Sequence, residues 1–190
     1  MSNRLIAFLQ QYQFFSATQQ ALINQAFESR FYKEGDYLFK GGHICREMFF
    51  ICDGVLRITM TNQKGVELTH FFLKEDTLCT ILNSFTNEVI ADESIQAACD
   101  TEVLAITKTK LRALYQQVTG LKQLIDEVIR QKLLDKIQIR NMYLGEDSET
   151  RYHLFMKQQP DIARRVALKD IAGYLGITPQ SLSRIRKNAK

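Results

Sequence analysis

The stretch Leu168-Lys169-Asp170-Ile171-Ala172-Gly173-Tyr174-Leu175-Gly176-Ile177-Thr178-Pro179-Gln180-Ser181-Leu182-Ser183-Arg184-Ile185-Arg186-Lys187 reads as two short helices joined by a tight turn. Ile171, Leu175 and Ile177 are spaced to face Leu182 and Ile185 across that turn, with Ala172 small where the helices cross and Gly176 where the chain must bend. Thr178 can cap the second helix, and Pro179 suits its first position because its missing N–H is not needed there.

Charge follows the same division. The 190-residue chain carries a formal +4, but from Asp161 to the end seven basic residues face two acids (Asp161, Asp170), which leaves the remainder near neutral. Concentrated positive charge at one end favours a polyanionic partner. The second helix of such a motif can lie in the major groove of double-stranded DNA, with Thr178, Gln180, Ser181, Ser183, Arg184, Arg186 and Lys187 on or beside its outward side and Lys169 opening the first helix. Arg184 is the candidate for base readout, since its guanidinium can donate two parallel hydrogen bonds to guanine; Gln180 comes second, with adenine as its natural partner. Lys169, Arg186 and Lys187 suit phosphates, which set register without reading sequence.

Upstream, the periodicity is different. Leu5, Ile6, Phe8 and Leu9, then Leu22, Ile23 and Ala26, mark two short helices, with Ser16 as an N-cap of the second. From Phe31 to Ile106 apolar residues fall in short runs separated by glycine turns: Gly35, Gly41-Gly42, Asp53-Gly54 and Lys64-Gly65. Asp53-Gly54 lies directly between two such runs and predicts a two-residue hairpin. The pattern predicts an antiparallel sandwich or roll, not alternating βαβ units.

After Lys108 helical spacing returns. A helix from about Gly120 to Tyr143 would be roughly 36 Å long, enough to cover the roll on one side and meet a partner helix on the other. Leu121, Ile125, Val128, Ile139 and Met142 are assigned to that seam, with Leu124, Ile129, Leu133 and Ile137 widening the stripe and Lys132 and Asp135 interrupting it. A helix that only covers the roll is the alternative. Gly145 ends it, Ser148 is expected to cap the next helix, and a hinge is placed between.

Other classes find little support. Four cysteines (Cys45, Cys52, Cys79, Cys99) show no Cys-x-x-Cys spacing, and three scattered histidines (His43, His70, His153) make no metal pair. No cofactor or metal is expected, and an enzyme of cupin type, which would need clustered His and Glu, is not. The start of the chain shows no signal-peptide or membrane-spanning stretch, so a reduced, cytoplasmic protein without a membrane partner is expected.

The glycine-punctuated β segment, long helix and terminal motif together make the whole chain resemble the CRP/FNR family of bacterial transcription regulators. The resemblance is carried by Lys33-Glu34-Gly35-Asp36-Tyr37-Leu38-Phe39, by Met48-Phe49-Phe50-Ile51-Cys52-Asp53-Gly54-Val55-Leu56, and by the motif from Leu168. It implies an α+β fold: an N-terminal jelly-roll-like antiparallel β-roll (double-stranded β-helix) of cyclic-nucleotide-binding type over 1–118, a dimerisation helix and hinge over 119–145, and a winged helix-turn-helix over 146–190. A homodimer acting on double-stranded DNA follows, with RNA polymerase and an unidentified small-molecule effector as further partners. Because the sequence stops soon after the second motif helix, the wing is expected to be reduced. The competing reading is therefore a ligand-sensing roll whose DNA-binding part is vestigial.

Family members that bind cyclic nucleotides carry a Gly-Glu pair and an Arg followed by Ser or Thr. The matching places here hold Cys79-Thr80 and Ala91-Asp92, so a cyclic phosphate would sit beside Asp92 and Glu93 without a guanidinium to offset them. Cyclic AMP held in the family's usual manner is not expected. The residues assigned to the effector region are Arg57, Phe71, Thr80, Asn83, Ala91 and Asp92, around a pocket that either holds another small molecule or is filled. The N-terminal cysteine cluster of the family's iron–sulfur members is absent, and Cys52, Cys79 and Cys99 read as buried strand cysteines in preference to thiol sensors.

Overall fold

The computed structural model describes residues 2–61 and 65–188; Lys64 of the Lys64-Gly65 turn and Lys190 of the basic terminal segment lie outside these. Two helices open the chain, α1 (Ser2–Leu9) and α2 (Ala17–Ala26). The second starts on a capping box, in which Ser16 accepts from the backbone of Gln19 and the Gln19 side chain accepts from the backbone of Ser16.

Among the described residues eight strands follow: β1 (Glu28–Tyr32), β2 (Tyr37–Phe39), β3 (Glu47–Asp53), β4 (Val55–Thr61), β5 (Glu67–Lys74), β6 (Leu78–Cys79), β7 (Ser94–Ala97) and β8 (Thr101–Thr107), with helix α3 (Leu82–Asn87) between β6 and β7. They form two four-stranded antiparallel sheets, ordered β1-β8-β3-β6 and β2-β7-β4-β5. Alternation along each strand sends every second side chain inward. Phe49, Ile51, Val103 and Ala105 of one sheet thereby meet Leu56, Ile58, Leu73 and Ile95 of the other in a closed, apolar roll interior.

The expected hairpin at Asp53-Gly54 is instead a corner. β3 pairs with β6 and β8 while β4 pairs with β5 and β7, so the chain leaves one sheet at Asp53 and enters the other at Val55. Gly54 takes φ +101°, and a Cβ there would come within 2.4 Å of Thr101 Oγ1 and 2.6 Å of the Asp100 carbonyl oxygen. The positive φ that suggests a hairpin serves here to press the corner against the neighbouring loop.

The two outer faces are covered differently. Met48, Phe50, Cys52, Leu104 and Ile106 of the first sheet pack under α1, α2, α4 (Lys108–Gln117) and α5 (Leu121–Tyr143). Val55 and Phe72 of the second sheet, with Ala98, pack under the C-terminal helices α6 (Ser148–Gln158), α7 (Pro160–Arg165), α8 (Leu168–Leu175) and α9 (Pro179–Asn188). Asp147, not Ser148, caps α6: its carboxylate accepts from Thr150 N at 2.8 Å. Among the described residues no strand accompanies α8 and α9 to form a wing. The chain between α6 and α8 forms the short α7 instead, with Pro160 in its first turn.

Candidate nucleic-acid interface

Helices α8 and α9 cross as their apolar spacing requires. Ile171, Ala172, Leu175 and Leu182 are buried together, with Ile177 and Ile185 packed at the edge. Gly176 ends α8 in the left-handed region at φ +65°, its N–H donating back to Ala172 and Gly173. Thr178 Oγ1 accepts from Ser181 N at 3.1 Å, closing the first turn of α9. With Leu182 as anchor, α9 leaves Gln180, Ser183, Arg184, Arg186 and Lys187 exposed and Ser181 half-buried; Lys169 is exposed at the start of α8.

A residue that the motif reading missed completes the turn. Arg151 of α6 donates from Nη1 to the Leu175 carbonyl at 2.6 Å, placing a cation on the C-terminal end of α8. No local signal announces it, because the partner lies on another helix.

The C-terminal helices are held to the roll by charge as well as by packing. Arg57 Nη1 lies 2.9 Å from Asp170 Oδ1. Its remaining donors reach Gln96, Thr69 at 3.1 Å and Glu67 at 2.5 Å. Burial pushes the Asp170 carboxyl above its ordinary range, and Arg57 opposes that shift. Arg165 of α7 engages Glu75 through its two terminal guanidinium nitrogens, at 2.5 and 3.0 Å. Burial would raise the Glu75 carboxyl, but Arg165 and the backbone N–H groups of Glu75 and Gly54 outweigh it and hold it at about 2. Lys74 and Asp161 add an exposed pair at 3.1 Å.

The six effector-region residues do not converge. Arg57 lies on the outer face of its sheet, facing α8, because it alternates with the inward Leu56 and Ile58. Ala91 is sealed in the roll interior. Asn83 and Asp92 are exposed, and Asn83 accepts from Asn87 at 2.8 Å. Thr80 donates to the Glu47 carbonyl at 2.8 Å, beside a cavity of only about 70 Å³ lined by Cys79, Leu82 and Lys136. Phe71 lies beneath the Lys136 ammonium. Cys45, Cys52 and Cys79 are buried, and burial lifts the Cys79 thiol to about 12, whereas Cys99, expected as a buried strand cysteine, is half-buried in the turn between β7 and β8. Among the described residues no cluster of His, Cys, Asp and Glu is arranged to hold a metal ion, and no helix is long and apolar enough to cross a membrane.

The long helix divides its apolar residues between two sides. Leu121, Ile125 and Val128, expected at a partner seam, are buried in the chain's own core against the first sheet. Ile139 is half-buried and Met142 exposed, while Leu133, Leu134, Ile137 and Leu144 stand out to solvent. A helix lying on the roll must give one stripe to it, and the apolar residues of the first turns of α5 are the ones buried there.

Residues 29–118 match the family model described as the cyclic nucleotide-binding domain. No curated protein matches the chain. Among solved structures, a putative transcriptional regulator of the CRP/FNR family from Eubacterium rectale superposes with a TM-score of 0.71 at 17% identity, covering 92% of this chain and 83% of that one. CLP, the c-di-GMP-responsive global regulator of Xanthomonas campestris, gives 0.70 at 15% identity over 92% and 91%. A CooA variant from Carboxydothermus hydrogenoformans gives 0.66 at 16% identity over 96% and 83%. Residues 29–118 thus match the cyclic nucleotide-binding domain model, and the chain as a whole has the fold seen in CRP/FNR-family transcription regulators.

Proposed function

We propose that this chain is a dimeric transcription regulator of CRP/FNR type that reads double-stranded DNA through α9. The observation that carries the reading is the pairing of a sealed α8–α9 crossing with an outward row of Gln180, Ser183, Arg184 and Lys187. A helix anchored by Leu182 and carrying cations on its free side is built to lie along a polyanion. The roll over 1–118 acts as sensor, α5 and the turn at Gly145 as dimer helix and hinge, and 146–190 as the DNA-binding part. The seam that suits a partner copy is Leu133, Leu134 and Ile137, exposed at helical spacing, with Met142 following.

Cyclic AMP in the family's usual manner does not fit. Ala91 is buried in the roll, Thr80 is spent on Glu47, and the Arg57 guanidinium is turned to the opposite face of its sheet. Nothing in the arrangement suggests catalysis, and contact with RNA polymerase belongs to the regulator reading only as its usual consequence. The alternative reading is a ligand-sensing roll whose DNA-binding part is weakened or vestigial.

Selection of random duplexes on the purified protein separates the two. A two-fold-symmetric consensus supports the regulator, whereas salt-sensitive binding without a consensus supports the vestigial domain.

A further inference from the structure

The C-terminal end of α5, the start of α6, β5 and the turn after α8 enclose a recess of about 300 Å³. Two guanidinium groups, Arg140 and Arg151, stand among its lining residues, and no carboxylate does. Arg151 is fixed: Nη1 donates to the Leu175 carbonyl at 2.6 Å, Nη2 donates to Ser148 Oγ at 3.4 Å, and the buried Nε has no hydrogen-bond partner among the described residues. Arg140 is exposed in the last turn of α5 and forms no ion pair among the described residues. The acids of the adjoining turn are placed elsewhere: Asp147 accepts from Thr150 N at 2.8 Å, and Glu149 faces His153 at 3.8 Å. Carbonyl groups ending α5 and α8 offset part of the two charges, and among the described residues no formal negative charge within ion-pair distance offsets the rest.

Gly176 lies at the same recess and opens the turn that leads through Thr178 and Pro179 into α9. A Cβ at Gly176 would stand 3.5 Å from Arg151 Nη1, so the Arg151 charge lies directly behind a stretch of backbone that carries no side chain. Gln180 follows at most about 14 Å further along the chain. With α9 in a major groove about 12 Å wide, the strands bordering the groove carry phosphates past the start of the helix. The turn at Gly176 and the recess beside it would then lie next to a row of phosphates. An exposed Arg140 alone would hold a free anion weakly in water. A polyanion already seated on α9 presents its next phosphate at high effective concentration, which a free anion does not.

We infer that the DNA backbone runs from α9 across Gly176 to the mouth of this recess, where Arg140 contacts a phosphate and Arg151 supplies a fixed positive field. The inference rests on the reading that α9 lies along a duplex, and it extends that interface to the end of the long helix. The added contact sets register without reading bases. It gives α5 a second task beside the partner seam proposed for Leu133, Leu134 and Ile137.

Binding of one duplex to the full chain, followed by fluorescence anisotropy at several KCl concentrations, tests it. Arg140→Gln should lower the slope of log K against log salt by about 0.9 and weaken binding roughly fivefold to tenfold at about 0.1 M salt, alike for duplexes of different sequence. Arg140→Lys keeps the charge and should keep most of the slope. Arg130→Gln should change neither, because Arg130 is paired with Glu127 and lies about 15 Å back along the helix, beyond the screening length of about 10 Å at this salt. An undiminished slope in the Arg140→Gln protein overturns the inference and leaves the regulator reading standing, whereas a wild-type chain that binds no duplex removes both. Inorganic phosphate that raises the Tm of the wild type but not of Arg140→Gln, with the duplex slope unchanged, assigns the recess to a small anion and overturns the inference equally.

Discussion

Arg57 of β4 and Asp170 of α8 form an ion pair at 2.9 Å with only 9% and 8% of their side chains exposed, and this pair joins the second sheet of the roll to the first helix of the α8–α9 pair. Glu67 and Gln96 hold the guanidinium from the side of the sheet. Removing one partner of such a pair is costlier than the pair's net worth, because the other charge stays buried. Arg57→Met strands the buried Asp170, while Glu67 keeps Tyr37 and Thr59 as donors, and should lower stability by about 3 kcal/mol. Asp170→Asn leaves Glu67 on the guanidinium and should lose about half as much. Urea titrations compare the two, and an Arg57→Met protein as stable as the parent would refute the role given to the pair.

Acid should loosen the second clasp. Glu75 is held at about 2 in the folded chain, below its ordinary 4.5. A depressed carboxyl contributes stability that is fully present above about pH 4.5 and is lost as pH falls toward 2. Glu75→Gln should therefore be less stable than the parent by about 2 kcal/mol at neutral pH, the difference closing on acidification. Parallel stability curves over that range would show that Glu75 is not the titrating group.

The two sides of α5 should answer differently to the same insult. Ile137, 49% exposed, can become Glu with little effect on the fold, but the variant should sediment as a monomer. Ile125, 2% exposed, cannot: Ile125→Glu buries a charge in the core beneath the first sheet and should cost at least about 3 kcal/mol. Sedimentation of an Ile137→Glu protein as an unchanged dimer would move the seam elsewhere.

On α9, Arg184→Ala should relax sequence preference at one position per half-site by about 1–3 kcal/mol. Lys169→Ala should instead weaken all duplexes alike and reduce the salt dependence by about one phosphate contact. Competition binding with single-base variants at two salt concentrations distinguishes them. Loss of affinity without any change in preference on removing Arg184 would reassign it to the phosphates.

Gly54→Ala probes the corner between the sheets. Its added Cβ would meet Thr101 Oγ1 at 2.4 Å, at a backbone angle that L side chains rarely adopt, so a loss of about 3 kcal/mol or more is expected. A thermal melt close to that of the parent would mean that the loop at Asp100 yields.

That corner also shows where sequence reading stops. A glycine with positive φ between two apolar runs is local information, and it is the same whether the second run pairs with the first or crosses to another sheet. Arg57 illustrates the same limit: strand alternation says that it lies opposite Leu56, but which side is the interior depends on the partners of β4. The α8–α9 crossing was legible because its caps, its glycine and its apolar spacing all fall within one short stretch. The span of α5 was legible for the same reason, with the structure placing it at Leu121–Tyr143 against an expected 120–143. Its division into an inner and an outer stripe was not, since Leu121 and Leu134 are chemically alike and only the roll decides which of them it covers. Asp147 displaced Ser148 as cap on a margin of one residue, within the usual uncertainty of helix ends.

The third apolar cluster draws Val55, Phe72 and Ala98 from the roll and Phe155, Ile171, Leu175 and Leu182 from the C-terminal helices. Transplanting residues 146–190 onto a foreign roll would expose one half of that cluster and leave Asp170 facing a stranger. A chimera would need to import the outward residues of β4 and β5 along with the helices, so a change of specificity under the proposed function is better attempted on the exposed row of α9 than by swapping whole modules.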